Sequence, residues 1–196
     1  MGKIKKPFSS RIHIKEEDDL LEVSISGRIP SFQFSLLSIW LVGWTIAGIL
    51  VLIQYFNVND QNTRLFMLVW FAFWIYFEYR ITFAWLWRRS GCERIVFRPD
   101  KIEISNEMNG KSKSNFFNTS NVNGVKNLEQ EQGLFVKNYH ASFWVVGGET
   151  IGFYDQGKLH SFARQLSQEE ANQLTKKINY KLEYWQKTDQ TQSQEN

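Results

Sequence analysis

Residues 32–56, FQFSLLSIWLVGWTIAGILVLIQYF, contain no charged side chain. At 1.5 Å per helical residue the run is long enough to cross a hydrocarbon layer of roughly 30 Å. A second run, LFMLVWFAFWIYFEYRITFAWLW at residues 65–87, is of similar length and is interrupted only by Glu78 and Arg80. The polar linker between them, residues 57–63, is short, so the second helix must return antiparallel beside the first. The sequence therefore predicts a transmembrane helical hairpin over residues 32–87. Six of the eight tryptophans, Trp40, Trp44, Trp70, Trp74, Trp85 and Trp87, lie in this interval. Such segregation of apolar residues suits a bilayer better than a globular core.

Orientation follows from the basic residues at the helix ends. Lys3, Lys5, Lys6, Arg11, Lys15 and Arg28 precede the first run, and Arg88, Arg89, Arg94 and Arg98 follow the second, whereas the linker region offers only Arg64. Both termini are expected in the cytoplasm. Trp85 and Trp87 beside Arg88 and Arg89 form the aromatic and basic edge of a helix leaving a membrane. The first thirty residues hold no apolar stretch of signal-peptide type, so insertion would depend on the internal helices. Met1-Gly2 begins like a myristoylation signal, but Lys6 stands where that motif requires Ser or Thr.

The flanking regions read as β structure. Residues 11–15 alternate in period two, residues 16–19 make an acidic break, and Leu21, Val23 and Ile25 alternate with Glu22, Ser24 and Ser26, which predicts an N-terminal β-hairpin within residues 1–31. After Gly91, short alternating segments at 94–98, 101–105, 111–117, 122–128, 134–137, 142–146, 150–154 and 158–163 are divided by turn signals such as Asn109-Gly110 and Gln156-Gly157. They predict an antiparallel sheet or small barrel. Ser167 and Glu170 form a capping box for a closing helix, whose stripe is Ala171, Leu174, Ile178, Leu182 and Trp185. Residues 186–196 are polar and Gln-rich and read as a disordered tail.

About seven strands followed by one amphipathic helix, behind a Trp-rich two-helix hairpin, resembles bacterial two-helix membrane proteins with a PH-like C-terminal domain of unknown function. The likeness rests on residues 86–95, LWRRSGCERI, and on IGFYDQG at 151–157 through FARQLSQEEA at 162–171. It implies a membrane α-helical hairpin plus a β-rich, PH-like domain at residues 88–185, placed in the bacterial inner membrane. It carries no catalytic residues, and a PH-like fold does not by itself imply a ligand.

Few side chains carry chemistry. Glu78 and Arg80 are charges inside a predicted span, where an unpaired charge costs several kcal/mol, and their spacing of two puts them on different helix faces. Either Arg80 snorkels and Glu78 is protonated or bonded to a neighbour such as Thr45, or Glu78 meets a partner subunit or forms part of a polar path. Arg88, Arg89 and Arg94, with Arg98, Lys111 and Lys113, are expected at the membrane surface, where they fix topology or attract anionic lipid head groups. Cys92 is the only cysteine, so an internal disulfide and a cysteine-based zinc cluster are excluded. His13, His140 and His160 have no metal-ligand spacing. There is no phosphate loop or nucleophile elbow, and a net charge of +3 is too small to argue for nucleic acid. No cofactor and no catalytic activity are expected. The expected role is a scaffold or accessory subunit of a membrane complex, its PH-like domain docking a partner at the cytoplasmic face. The alternative is a component of a membrane enzyme or transporter with Glu78 in a proton or substrate path.

Overall fold

Period-two alternation draws the N-terminal segment into β1 (Ile12–Glu17) and β2 (Leu20–Ser26), an antiparallel hairpin turning at Asp18 and Asp19. The computed structural model describes residues 8–128, 144 and 146–194. Leu21, Val23 and Ile25 share one face of β2 and are buried. The chain then leaves as α1 (Ser31–Asn57), reverses within three residues, and returns as α2 (Gln61–Ser90). Asp60 caps α2 by accepting from the backbone N–H and hydroxyl of Thr63, at 2.7 and 2.6 Å.

The next strand, β3 (Cys92–Phe97), pairs with β2 in antiparallel register from Leu21↔Phe97 to Ser26↔Cys92. The helical hairpin is thus an insertion between two neighbouring strands of one sheet. Adding β4 (Lys101–Met108) and β5 (Lys111–Asn118) gives a five-stranded antiparallel meander in the order β1-β2-β3-β4-β5. Asn109 and Gly110, both at positive φ, make the tight β4–β5 turn. A short 3₁₀ turn at Thr119–Asn121 leads to a second antiparallel sheet of β6 (Lys126–Asn127), β7 (Glu149–Asp155) and β8 (Lys158–Arg164). The chain closes with α3 (Gln168–Gln194).

One core serves all of these pieces except the long helices. Ile95, Phe97, Ile102 and Ile104 of the first sheet meet Ile151, Phe153 and Phe162 of the second, and the α3 stripe Ala171, Leu174, Ile178, Leu182 and Trp185 covers them. The α3 helix is also fastened to the N-terminal hairpin. Ser9 N–H donates to Glu170 Oε1 at 3.1 Å, Lys177 pairs with Glu16 at 2.5 Å, and Trp185 Nε1–H donates to the Asp18 carbonyl at 2.8 Å. The capping box is formed as predicted from the sequence, with Ser167 N–H on Glu170 Oε2 at 2.9 Å and Glu170 N–H on Ser167 Oγ at 3.3 Å.

Four sequence expectations need correction. The N-terminal hairpin expected as a segment of its own within residues 1–31 is not separate, because β2 is an interior strand of the sheet that continues after the helices. The helices run past the predicted 32–56 and 65–87, so Arg88 and Arg89 belong to α2. Of the strand expected at 122–128 only Lys126–Asn127 forms, since the Asn179 side chain brackets Val125, accepting from its N–H at 2.8 Å and donating to its carbonyl at 3.0 Å. Helix α3 runs to Gln194, beyond the apolar stripe and through most of the expected disordered tail, in a stretch rich in Gln, a good helix former. The strand expected at 134–137 lies outside the described residues, as does that at 142–146 apart from Trp144 and Val146.

Both long helices are long and apolar enough to cross a membrane, and few of their side chains are buried. They meet along a narrow seam. Gly48 sits under the Trp74 indole, Trp74 Nε1–H donates to the Trp44 carbonyl at 3.2 Å, and Trp85 Nε1–H donates to Ser38 Oγ at 2.8 Å.

Where the hairpin joins the sheet, Gly27 N–H donates to the Gly91 carbonyl at 2.9 Å, and Trp87 is wedged against both glycines. A Cβ at Gly27 would lie 2.6 Å from the Trp87 carbonyl oxygen. Gly27→Ala is therefore expected to cost about 1–3 kcal/mol by overpacking. Gly43→Ala, with nothing within 4 Å, should be neutral or slightly stabilising within α1. Thermal unfolding of the solubilised chain compares them, and equal stability of the two variants would refute this account of the junction. In the same assay Ile178→Asp should cost about 4 kcal/mol or more, whereas Lys176→Asp, on the exposed face of α3, should stay within about 0.5 kcal/mol.

Candidate functional site

The charged residues of the apolar helices part company in the way their spacing requires. Glu78 turns toward α1, where Thr45 Oγ1–H donates to Glu78 Oε1 at 2.8 Å; the same hydroxyl also lies 2.8 Å from the Leu41 carbonyl. Glu78 Oε2 is buried with no hydrogen-bond partner among the described residues. Arg80 is exposed on the other face of α2, beside the chain that enters β7. Thr45 and Glu78 are thus brought together, and Arg80 is not part of that pair.

A second polar cluster sits where the helices meet the sheets. Glu93 is on β3, and its carboxylate accepts the backbone N–H of Ala163 at 3.1 Å and of Arg164 at 2.9 Å. Ala163 is at φ 63, an uncommon conformation for an L-residue, which breaks the β7–β8 ladder and presents two successive N–H groups to one anion. Thr150 Oγ1–H donates to the Ala163 carbonyl at 2.5 Å and holds the kink from the other side. Around it, Arg88 donates to the Gly27 carbonyl at 3.3 Å and to the Gln165 side chain, while Arg11 donates to the Gln165 carbonyl. Arg164 pairs with Glu149 at 3.0 Å and lies over the Trp87 ring at 5.3 Å.

Burial pushes the Glu93 carboxyl above its ordinary range, against the Arg164 N–H, the Arg164 charge and the Ala163 N–H, which act the other way. Burial likewise lowers Arg11, opposed by Glu170. The void among these groups, about 10 Å³, is too small for an organic ligand. The cluster ties α2, the N-terminal arm and the second sheet together.

The basic residues expected at the membrane surface fare differently. Arg88 is 2 % exposed and tied to Gly27 and Gln165, which corrects its assignment as a surface group. Arg94 is spent on Glu22 across the β2–β3 pairing, at 2.7 Å. Arg89 remains exposed, its guanidinium over the Trp85 ring at 5.3 Å. Sequence reasoning missed Glu93, Arg11 and Gln165. Glu93 had left a signal, since it shares the parity of Ile95 and Phe97 and so belongs to the buried face of β3.

Among the described residues no group of three or more His, Cys, Asp or Glu side chains is arranged to hold a metal. His13 is exposed, His160 lies against the Phe117 ring at 4.5 Å, and His140 falls outside the described residues. Burial, together with Glu107 and Glu93, pushes the Cys92 thiol up, so it is mostly protonated at neutral pH and is not an activated nucleophile. Compared with protein-family models, with curated proteins and with solved structures, the chain matches none.

The raised Glu93 value has a definite pH consequence. Its contribution to stability is fully present below the ordinary carboxyl range, near 4.3, and is lost as pH rises through the elevated folded value. Relative to Glu93→Gln, which does not titrate there, the wild-type chain should lose stability with rising pH above about 4.3, at no more than about 1.4 kcal/mol per pH unit. Unfolding midpoints of the two chains between pH 4 and pH 8 check this, and a wild-type advantage that grows with pH would reverse the assigned direction.

Proposed function

We propose that the chain is an integral membrane protein in which a helical hairpin anchors a PH-like β domain that serves as a scaffold or accessory subunit of a membrane complex. The observation that carries this reading is the exposure of the two long apolar helices. Ile39, Phe56, Phe66 and Phe73 are 71 %, 71 %, 71 % and 63 % exposed, and the β domain does not cover them. Helices apolar on all sides are stable only when lipid or other protein surrounds them.

The pairing of β2 with β3 supports a topology in which both flanks of the hairpin lie on one side of the bilayer. The basic flanks favour the cytoplasmic side, which in the resemblance described above is that of a bacterial inner membrane. The β domain spends its buried charges on holding itself together, and that favours docking over catalysis. The partners in this reading are other membrane subunits.

The unpartnered Oε2 of Glu78 favours one refinement, in which a neighbouring subunit supplies the missing donor. In a transporter or enzyme complex the same group would lie on a proton or substrate path, and two helices need further subunits to enclose one.

A single-cysteine reporter at Asn59 should be labelled from outside intact cells, whereas Cys92 and a reporter near Gln186 should not be; labelling near Gln186 from outside would refute the topology. Gentle extraction should recover the chain with defined membrane subunits. Glu78→Gln should insert normally and reduce that recovery several-fold. Recovery unchanged in both Glu78→Gln and Glu78→Leu would remove Glu78 from the interface.

A further inference from the structure

An open cleft of about 350 Å³ separates α2 from the chain entering β7. Tyr79, Arg80 and Phe83 form one wall, and Gly147, Gly148 and Arg164 form the other. Arg80 is the only basic residue between Arg64 and Arg88, and no described residue pairs with it. Glu149 also reaches the cleft, but it is committed to Arg164 and to the Ser161 hydroxyl. Two guanidinium groups against one carboxylate leave the cleft a net positive charge. The glycines place no side chain between their backbone and the cleft, which leaves room for an oxyanion beside it.

The opposite wall is of different character. Tyr79 is 68 % exposed and Phe83 37 %, and both continue into the uncovered apolar surface of the helices. Arg80 lies nine residues before Arg89, about 13 Å along the axis from the basic end of α2. A cation at that depth, with a polar cleft on one side and hydrocarbon-like surface on the other, suits a ligand that is anionic at one end and apolar at the other.

We propose that this cleft binds the phosphate of an anionic phospholipid, with Arg80 as its charge partner, the backbone at Gly147 and Gly148 closing on its oxygens, and Tyr79 and Phe83 flanking the start of its acyl chains. The proposal rests on the membrane reading above. It moves head-group recognition away from Arg88 and Arg94, whose charges are used inside the protein, to a residue within the apolar run.

The test uses the full chain in neutral detergent. Its thermal midpoint is measured with phosphatidylcholine, with phosphatidylglycerol mixed in, and with phosphatidylcholine plus inorganic phosphate. Phosphatidylglycerol should raise the midpoint by roughly 5 °C over phosphatidylcholine alone, and inorganic phosphate should not. Arg80→Gln should lose that increment, Arg80→Lys and Arg89→Gln should keep most of it, and Gly148→Glu, which adds a carboxylate to the cleft without altering α2, should abolish it. Equal response to the two lipids, an undiminished increment in Arg80→Gln, or a full increment from inorganic phosphate would each overturn the proposal. Alkaline extraction of membranes from the same cells separates the two readings: release of the chain defeats the membrane reading, whereas retention without a lipid preference defeats only the cleft.

Discussion

The pairing of β2 with β3 is the contact on which the remaining structure depends. Both long helices intervene between these strands, and closing so long an excursion costs conformational entropy that rises slowly, on the order of (3/2)RT ln n. Six residue pairs, the buried Leu21, Val23, Ile25, Ile95 and Phe97, and the Arg94–Glu22 ion pair offset that cost. The Gly27–Gly91 hydrogen bond then fixes the two ends of the excursion side by side, with the Trp87 indole filling the angle between helix and sheet. Loss of this pairing would make β1 and β2 a detached arm and would strip α3 of its contacts at Ser9, Glu16 and Asp18.

The charges follow from the same constraint. Bringing a helix terminus against a sheet buries polar backbone, and the groups that satisfy it come from distant parts of the chain: Arg11 ahead of β1, Arg88 at the end of α2, Glu93 at the start of β3 and Gln165 after β8. A buried carboxylate is tolerated because a left-handed residue, Ala163, turns two N–H groups toward it. The hydrogen bonds these residues make are directed at the fold itself. Arg80 and Glu78 differ from them: the first has no partner among the described residues, and the second has one oxygen bonded and the other bare.

Much was readable without coordinates because it is written in short-range periodicity. The apolar runs at 32–56 and 65–87 dictate long helices, alternation around Leu21, Val23 and Ile25 dictates a strand, Asn109-Gly110 dictates a tight turn, and Ser167 with Glu170 dictates a helix start. The bond between Thr45 and Glu78 was readable as well, since a carboxyl in an apolar helix seeks the nearest hydroxyl on its neighbour. The extension of α3 to Gln194 was not, because composition suggests disorder equally well for a polar segment that carries on a helix already nucleated and docked.

By itself, then, the sequence determined the kinds of elements, their order and the apolar faces they must hide, since each depends on neighbours a few residues apart. Only the tertiary structure decided that the N-terminal hairpin and the later strands are one sheet, that Arg88 is internal, that Glu93 is held by Ala163 and Arg164, and that Arg80 faces a cleft. Those outcomes join residues separated by some sixty positions or more. Periodicity carries no information about which of several suitable partners a strand or a charge will meet. That choice is made by the one packing that buries all the apolar faces of the β domain at once and leaves its buried charges satisfied.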